Sequence, residues 1–303
     1  MNICFLRPTI LLFTFHIAFV MQTFAAVSAQ ETVLEKLQVN ESEIPEYLVK
    51  QIPNGVITVD GKLEEKVWKD ATKTASFVDL ISGKETIHQT KSAILWDETY
   101  LYVAFWVQEP DVRAKYKKRD APIYYDNDIE IFLAADNAYY EFEMNAFGTI
   151  YEALVMWDDR YGELEFAKVP SLDRAHKKTQ PFNGVGFKTH PRGKRTIALG
   201  YDFPKLKSAV FVDGTINNSK DRDRGWTAEI ALPFKGMSDL LNGDKRSVPP
   251  KQDDVWRMNL FRFNTYKEAS PAKDSSGWAW SRHCVWDSHI PECFPKIKFQ
   301  TKK

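Results

Sequence analysis

The sequence is short of several features that would have pointed elsewhere. Its 303 residues carry 41 basic and 41 acidic side chains, so the formal net charge is zero. Without a basic excess nothing argues for a nucleic-acid partner, and without an acidic tail nothing argues for a disordered solvating segment. Cysteine is scarce: there are three, and Cys4 lies in an apolar leader. The other two, Cys284 and Cys293, lack the C-x2–4-C spacing of a zinc site, and no C-x-x-C-H haem-attachment run occurs. The six histidines are scattered, with His16 in the leader. No later run is apolar and long enough to span a bilayer, and no internal repeat is visible.

Residues 1–29 read as a signal peptide. Arg7 precedes an uncharged apolar run, and Val27-Ser28-Ala29 supplies the small-residue site for cleavage after Ala29. An uncleaved anchor is the alternative, because the run is long enough to span. The mature chain is expected to be exported to the periplasm, cell surface or medium. In an oxidising compartment, Cys284 and Cys293 either close a small loop as a disulfide or remain as unpaired, buried thiols. Residues 30–51 are polar and read as a linker or loosely docked leader, leaving 52–303 as one domain.

Aromatic residues are plentiful at 14%, with 9 Trp, 12 Tyr and 20 Phe. That composition suits β-structure and a ligand surface made of flat rings. The chain is organised around Tyr124–Asp158. Ile129, Ile131 and Leu133 alternate with Asp126, Asp128 and Glu130; after a turn at Ala134–Ala138, Tyr140, Phe142 and Met144 alternate with Glu141, Glu143 and Asn145. Thr149–Trp157 starts a third strand. Five carboxylates and an asparagine thus share one face of a sheet. Unpaired carboxylates in a cluster repel, so this face should meet water, a cation or a hydrogen-bonding ligand. A plain solvated outer face is the alternative.

Elsewhere, Ile57–Gly61 reads as a short strand and Lys62–Ala71 as a short helix with Trp68 in the core. Lys91–Trp96 and Leu101–Val107 form a hairpin that is apolar on both faces, as in a strand buried centrally in a sandwich. Val185–Thr189, Thr196–Tyr201, Gly225–Phe234 and Val255–Asn264 read as further strands, and the polar stretch between Tyr161 and Arg224 as insertions. Many short strands and few helices predict an all-β fold, an antiparallel sandwich with short helices and loop insertions.

The phrases VDGKLEEKVW, SAILWDETYLYVAFWV, DNDIEIFL, YYEFEMNAFGTIYE, GWTAEIALPF, WRMNLFRFN and HIPECFPKIKF follow one another. In that order the chain resembles carbohydrate-binding module family 9, from Pro53 to Phe299. The resemblance implies an immunoglobulin-like sandwich related to DOMON domains. It also implies binding of sugars or short oligosaccharides between aromatic side chains, with structural calcium in some members. One sandwiching ring corresponds to Tyr124 or Tyr125 and a second to Trp286, with His289 beside it. Asn145 fits a polar partner. Glu143 stands where the family has a basic residue, and Pro295 replaces a glycine.

Physical chemistry supports a sugar site beside the resemblance, because pyranose faces stack on flat rings while hydroxyls need convergent polar groups. Tyr124, Tyr125, Trp278, Trp280 and Trp286 supply rings; Asn145, Arg262 and His289 supply polar partners. The alternative is that the tryptophans cap the open end of the sandwich. Asp126, Asp128 and Glu130 are the metal candidates and calcium the candidate cofactor, since alternating carboxylates suit a hard cation. The stretch lacks the rest of an EF-hand loop, and pairing with Lys or Arg is the competing reading.

No catalytic residue is assigned. His283 and His289 flank Cys284, but an exported chain with a bridged cysteine argues against a thiol nucleophile. The DOMON relationship raises haem ligation by Met144, Met156 or Met258, and a glycan-active hydrolase is the other alternative. The expectation is a standalone exported protein that captures or presents a carbohydrate. Oligomeric state is not legible.

Overall fold

Two-residue periodicity in β-branched and aromatic side chains makes strands of much of the chain. The computed structural model describes residues 32–265 and 274–302. Its first strands are β1 (Glu46–Gln51), β2 (Val78–Asp79), β3 (Thr90–Trp96) and β4 (Tyr100–Gln108). The expected three-strand meander follows as β5 (Asp128–Ala134), β6 (Ala138–Asn145) and β7 (Ile150–Trp157). Next come β8 (Thr179–Phe182), β9 (Arg195–Ala198), β10 (Lys207–Asp213) and β11 (Gly225–Pro233). Three more, β12 (Val255–Phe263), β13 (Gly277–Ala279) and β14 (Lys296–Gln300), complete the set.

A continuous hydrogen-bonded path joins them in the order β10-β11-β4-β3-β1-β14-β12-β5-β6-β7-β9-β8, with β13 on β12 and β2 on β13. The path folds over on itself. Val103 and Phe105 of β4 and Ile230 of β11 share one core with Ile131 of β5, Phe142 of β6, Leu154 of β7 and Met258 of β12. The architecture is therefore the all-β sandwich expected, with an apolar layer between its two halves.

Most ladders are antiparallel, but β1 runs parallel to both β14 and β3. This corrects the reading of residues 30–51 as a linker. Tyr47 and Val49 are buried while Glu46, Leu48 and Lys50 face out, an alternation too short and too charged to stand out in the sequence. Upstream, residues 32–37 are helical, and Val33, Leu34 and Leu37 pack with Ile44 against Ile290 and Cys293. The signal-peptide reading of residues 1–29 lies outside the described residues.

The disulfide expectation is also corrected. Cys284 and Cys293 are free thiols. Cys293 is wholly buried in the cluster around Val33 and Ile290, and Cys284 borders it. Burial pushes both thiol pKa values up, so each acts as a small apolar packing group rather than a thiolate.

The outer faces are covered as well. Ala93, Leu95, Tyr102 and Ala104 on β3 and β4 pack under Ile57, Leu63 and Trp68, which explains why β4 is apolar on both sides. That cover is not the strand and ten-residue helix expected: Ile57–Gly61 is irregular, and of Lys62–Ala71 helix is confined to one turn, Lys66–Lys69. A buried carboxylate uses its backbone donors instead. Glu229 accepts the N–H groups of Asp60 and Gly61, and the Trp68 indole N–H at 2.7 Å. Gly61 is needed here. Its φ is +84°, and a Cβ would lie 2.6 Å from the Val210 carbonyl carbon. Among the described residues no helix is long and apolar enough to cross a membrane.

Candidate functional site

The alternation of β5 and β6 places Glu130, Glu141 and Glu143 on the sheet face away from the inter-layer core. That face is roofed by loops, not open to bulk water. Segments 180–185 and 286–289, the turn Ile123–Tyr125 and side chains of β5–β7, β9 and β12 enclose a cavity of about 500 Å³ over it. A wider trough of about 930 Å³ runs between 55–59 and 203–208. It is the lesser candidate, because it has no ring platforms facing a cluster of buried acids.

Aromatic side chains enter the cavity from distant parts of the chain. Tyr124 and Tyr125 sit on the short turn before β5, held by buried Ile123 and by the Asp126 N–H donating to the Ile123 carbonyl at 2.7 Å. Their centroids are 4.7 Å apart, and Tyr124 meets Tyr151 edge-on at 5.7 Å. Tyr125 is 67% exposed and Trp286 39%, unusual for such large side chains. Trp286 stands edge-on to Phe263 at 5.2 Å. Space for its ring exists because residue 277 is glycine: a Cβ there would lie 2.6 Å from Cζ3 of Trp286 and 2.8 Å from Cε1 of Phe263.

One carboxylate ties the loops together. Asp287 Oδ2 accepts the backbone N–H groups of Val185, Gly186 and Phe187 at 2.9, 3.0 and 2.9 Å, and Oδ1 accepts that of His289 at 2.9 Å. These bonds explain why Val185–Thr189 is not the strand expected, since its donors serve Asp287. The bonds, with His289 nearby, hold the Asp287 pKa below the usual carboxylate range despite burial. His289 is itself pushed down to about 3 by burial, so it is neutral. Its Nδ1 lies 3.3 Å from the Tyr139 hydroxyl and its Nε2 3.7 Å from Glu141 Oε1. Arg195 bonds the same hydroxyl and the His289 carbonyl, both at 2.8 Å.

The floor is acidic. Glu130, Glu141 and Glu143 are 3, 5 and 1% exposed, and the Oε2 of each has no hydrogen-bond partner among the described residues. Asp128, next along β5, likewise has an unpartnered Oδ2. Burial, then mutual repulsion, raises Glu130 and Glu143 far above the usual range; burial raises Glu141 to about 8. The reading of this face as solvated is corrected: its acids are buried.

The structure brings together some expected residues and separates others. Tyr124, Tyr125, Trp286 and His289 line one cavity. Asn145 does not: its side chain bonds the Tyr116 carbonyl, Asp126 and the Phe147 and Thr149 N–H groups, so it holds turns in place. Arg262 is wholly buried on the opposite face of β12, bonded to Thr90 and the Gln108 carbonyl, paired with Glu109 at 3.4 Å and stacked on Trp278. Trp280 is buried edge-on to Tyr47. Sequence reasoning missed Tyr151, Phe182, Phe263 and Asp287 as cavity residues. The Tyr151 position was legible, since it faces Glu143 across the β6–β7 ladder.

The expected metal trio also changes. Asp126 accepts from the Lys115 and Tyr116 N–H groups and from Asn145, which fixes the approach to β5. The acids that converge are Asp128, Glu130 and Glu143, whose ligand atoms lie within 4.8 Å of one another. Three hard oxygen donors suit a cation such as calcium. Met144, Met156 and Met258, raised as haem ligands, are packed in the inter-layer core.

Residues 59–162 match the family model for carbohydrate family 9 binding domain-like segments. Over 79 residues, 26% of the chain, the sequence is 35% identical to endo-1,4-beta-xylanase C of Paenibacillus barcinonensis; the match spans 7% of that enzyme. The fold is similar to a putative carbohydrate-binding protein from Bacteroides uniformis, with TM-score 0.53 and 13% identity over 85% of this chain and 100% of that one. A family 9 module from Caldicellulosiruptor kristjanssonii, solved with cellotriose, aligns at TM-score 0.45 and 14% identity over 84% of this chain and 95% of that one. The resemblance that the order of the phrases implied is thus matched by the family model over residues 59–162. The matched segment holds Tyr124, Tyr125 and the acidic floor, and ends before Trp286.

Proposed function

From a family 9-like sandwich with this cavity, we propose that the protein binds a carbohydrate noncovalently between Tyr124–Tyr125 and Trp286. One observation carries the reading: exposed rings about 160 positions apart in sequence line a single cavity above a polar floor. Pyranose C–H faces stack on such rings, and hydroxyls donate to buried acceptors. Loops tied by Asp287 are already ordered, which limits the entropy lost on binding. The comparison proteins whose names include carbohydrate binding support the same reading. We further propose that residues 1–29 direct export and that the protein acts as a capture or presentation protein. A calcium ion at Asp128, Glu130 and Glu143 would hold the floor acids ionised.

Calorimetric titration of soluble oligosaccharides against the wild type and Trp286→Ala, with and without calcium, tests the reading. Saturable binding that weakens roughly tenfold or more in the variant is expected, as for a ring at the centre of a contact. Absence of binding across a broad panel, with the protein folded and calcium present, would overturn it. Product release from the same panel would instead favour a glycan-active enzyme.

A further inference from the structure

The cavity has an imbalance that neutral-sugar binding leaves unexplained. Three of its floor side chains, Glu130, Glu141 and Glu143, are buried acids, each with one oxygen lacking a donor. Among the described residues lining the cavity none is Lys or Arg, and the one histidine there, His289, is held neutral by burial. Once ionised, the floor offers only acceptors, so a ligand that brings both donors and positive charge would hold the acids in that state.

A sugar hydroxyl is a poor answer, because each brings two acceptor lone pairs along with its single donor. A primary ammonium brings three donors, no acceptor and a positive charge. It matches three donor-less oxygens in number and in sign, and the surrounding rings of Tyr124 and Trp286 are compatible with a cation beside the sugar face. A volume of about 500 Å³ is far larger than an ammonium alone needs, and leaves room for the ring that carries it. Resting on the carbohydrate reading above, we propose that the ligand is an amine-bearing sugar, such as a glucosamine-containing oligosaccharide. Its pyranose stacks on the exposed rings and its ammonium docks among Glu130, Glu141 and Glu143.

The test compares three matched oligosaccharide series on the full chain by calorimetry: glucosamine oligomers, their N-acetylated counterparts and cello-oligosaccharides. Each is run in chelator and again with added calcium. N-Acetylation removes the charge and two of the three donors while keeping the ring. The expected result is at least about tenfold tighter binding of the free-amine series in chelator, with that ratio falling towards one in Glu143→Gln and in Glu130→Gln. The preference should also shrink as salt is raised. Thermal melts establish that each near-isosteric variant is folded. Equal or weaker binding of the free-amine series overturns the proposal while leaving carbohydrate binding intact. So does neutral-sugar binding that requires calcium and shows no amine preference, which would assign the acids to a metal. Binding of none of the three series by folded protein sinks both readings.

Discussion

Glu130 on β5 and Glu143 on β6 stand directly opposite each other across an antiparallel ladder, and both are buried. Like charges so placed repel, and burial removes the water that would screen them. A fold does not gain stability from this pair. The pair therefore marks a position shaped for something other than the sandwich, and it makes the electrostatics of the floor measurable without any ligand.

Stability should fall as pH rises, and Glu141 reports it. Its pKa is raised from 4.5 to about 8 by burial. Its stabilising contribution is thus complete below about 4.5 and is lost as pH passes through about 8. The groups around it are Glu143, Glu130, Asp128, Asp287, Tyr151 and His289. His289, depressed to about 3, acts in the opposite sense: its contribution is present above 6.5 and lost as pH falls towards 3. It cannot imitate an alkaline loss. Melting temperatures of wild type and Glu141→Gln should nearly coincide at pH 5, with the variant higher at pH 9. A gap that does not change with pH would mean that Glu141 is ionised throughout.

The second prediction concerns β1. Its removal would leave β14 without the partner that pairs along Lys296–Gln300, and would strip Tyr47 and Val49 from the core. A chain beginning at Ile52 should fail to show a cooperative melt, whereas one beginning at Thr32 should melt as one beginning at Gln30 does. Val49→Ala in the longer chain should cost about 2 kcal/mol, the worth of a buried valine side chain. A chain from Ile52 that melts within a few degrees of the longer one would show the strand to be dispensable.

What the sequence made legible follows from parity. Alternation in β5 and β6 sorted Ile129, Ile131 and Phe142 from Glu130, Glu141 and Glu143 correctly, because a strand has only two faces. The same rule was enough to exclude Arg262, which alternates with Phe261 and Phe263 and so points away from the cavity that Phe263 lines. Parity does not say what covers a face. Segments 180–185 and 286–289 roof the acidic face through contacts about 100 positions apart, such as Asp287 to Val185. Asn145 has the right parity but is consumed by turn hydrogen bonds, which its residue type could not reveal. Likewise β1 is short and charged on its outer face, and only its partners show it to be structural.

The last prediction tests how Trp286 is held. Gly277 lies against Trp286 and Phe263, and a single added methyl would intrude on both rings. The cheapest relief is for Trp286 to move, since it is the more exposed of the two and its ring faces the cavity. Gly277→Ala should therefore weaken oligosaccharide binding by about tenfold, while overpacking lowers stability by roughly 1–3 kcal/mol. Gly162→Ala serves as the comparison, because a methyl there meets nothing within 4 Å. Affinities are compared per folded molecule, with folding monitored by near-ultraviolet circular dichroism, which also reports the tryptophan environment. Unchanged affinity in Gly277→Ala alongside a loss in Trp286→Ala would show that the ring tolerates displacement, and that contact rather than orientation governs binding.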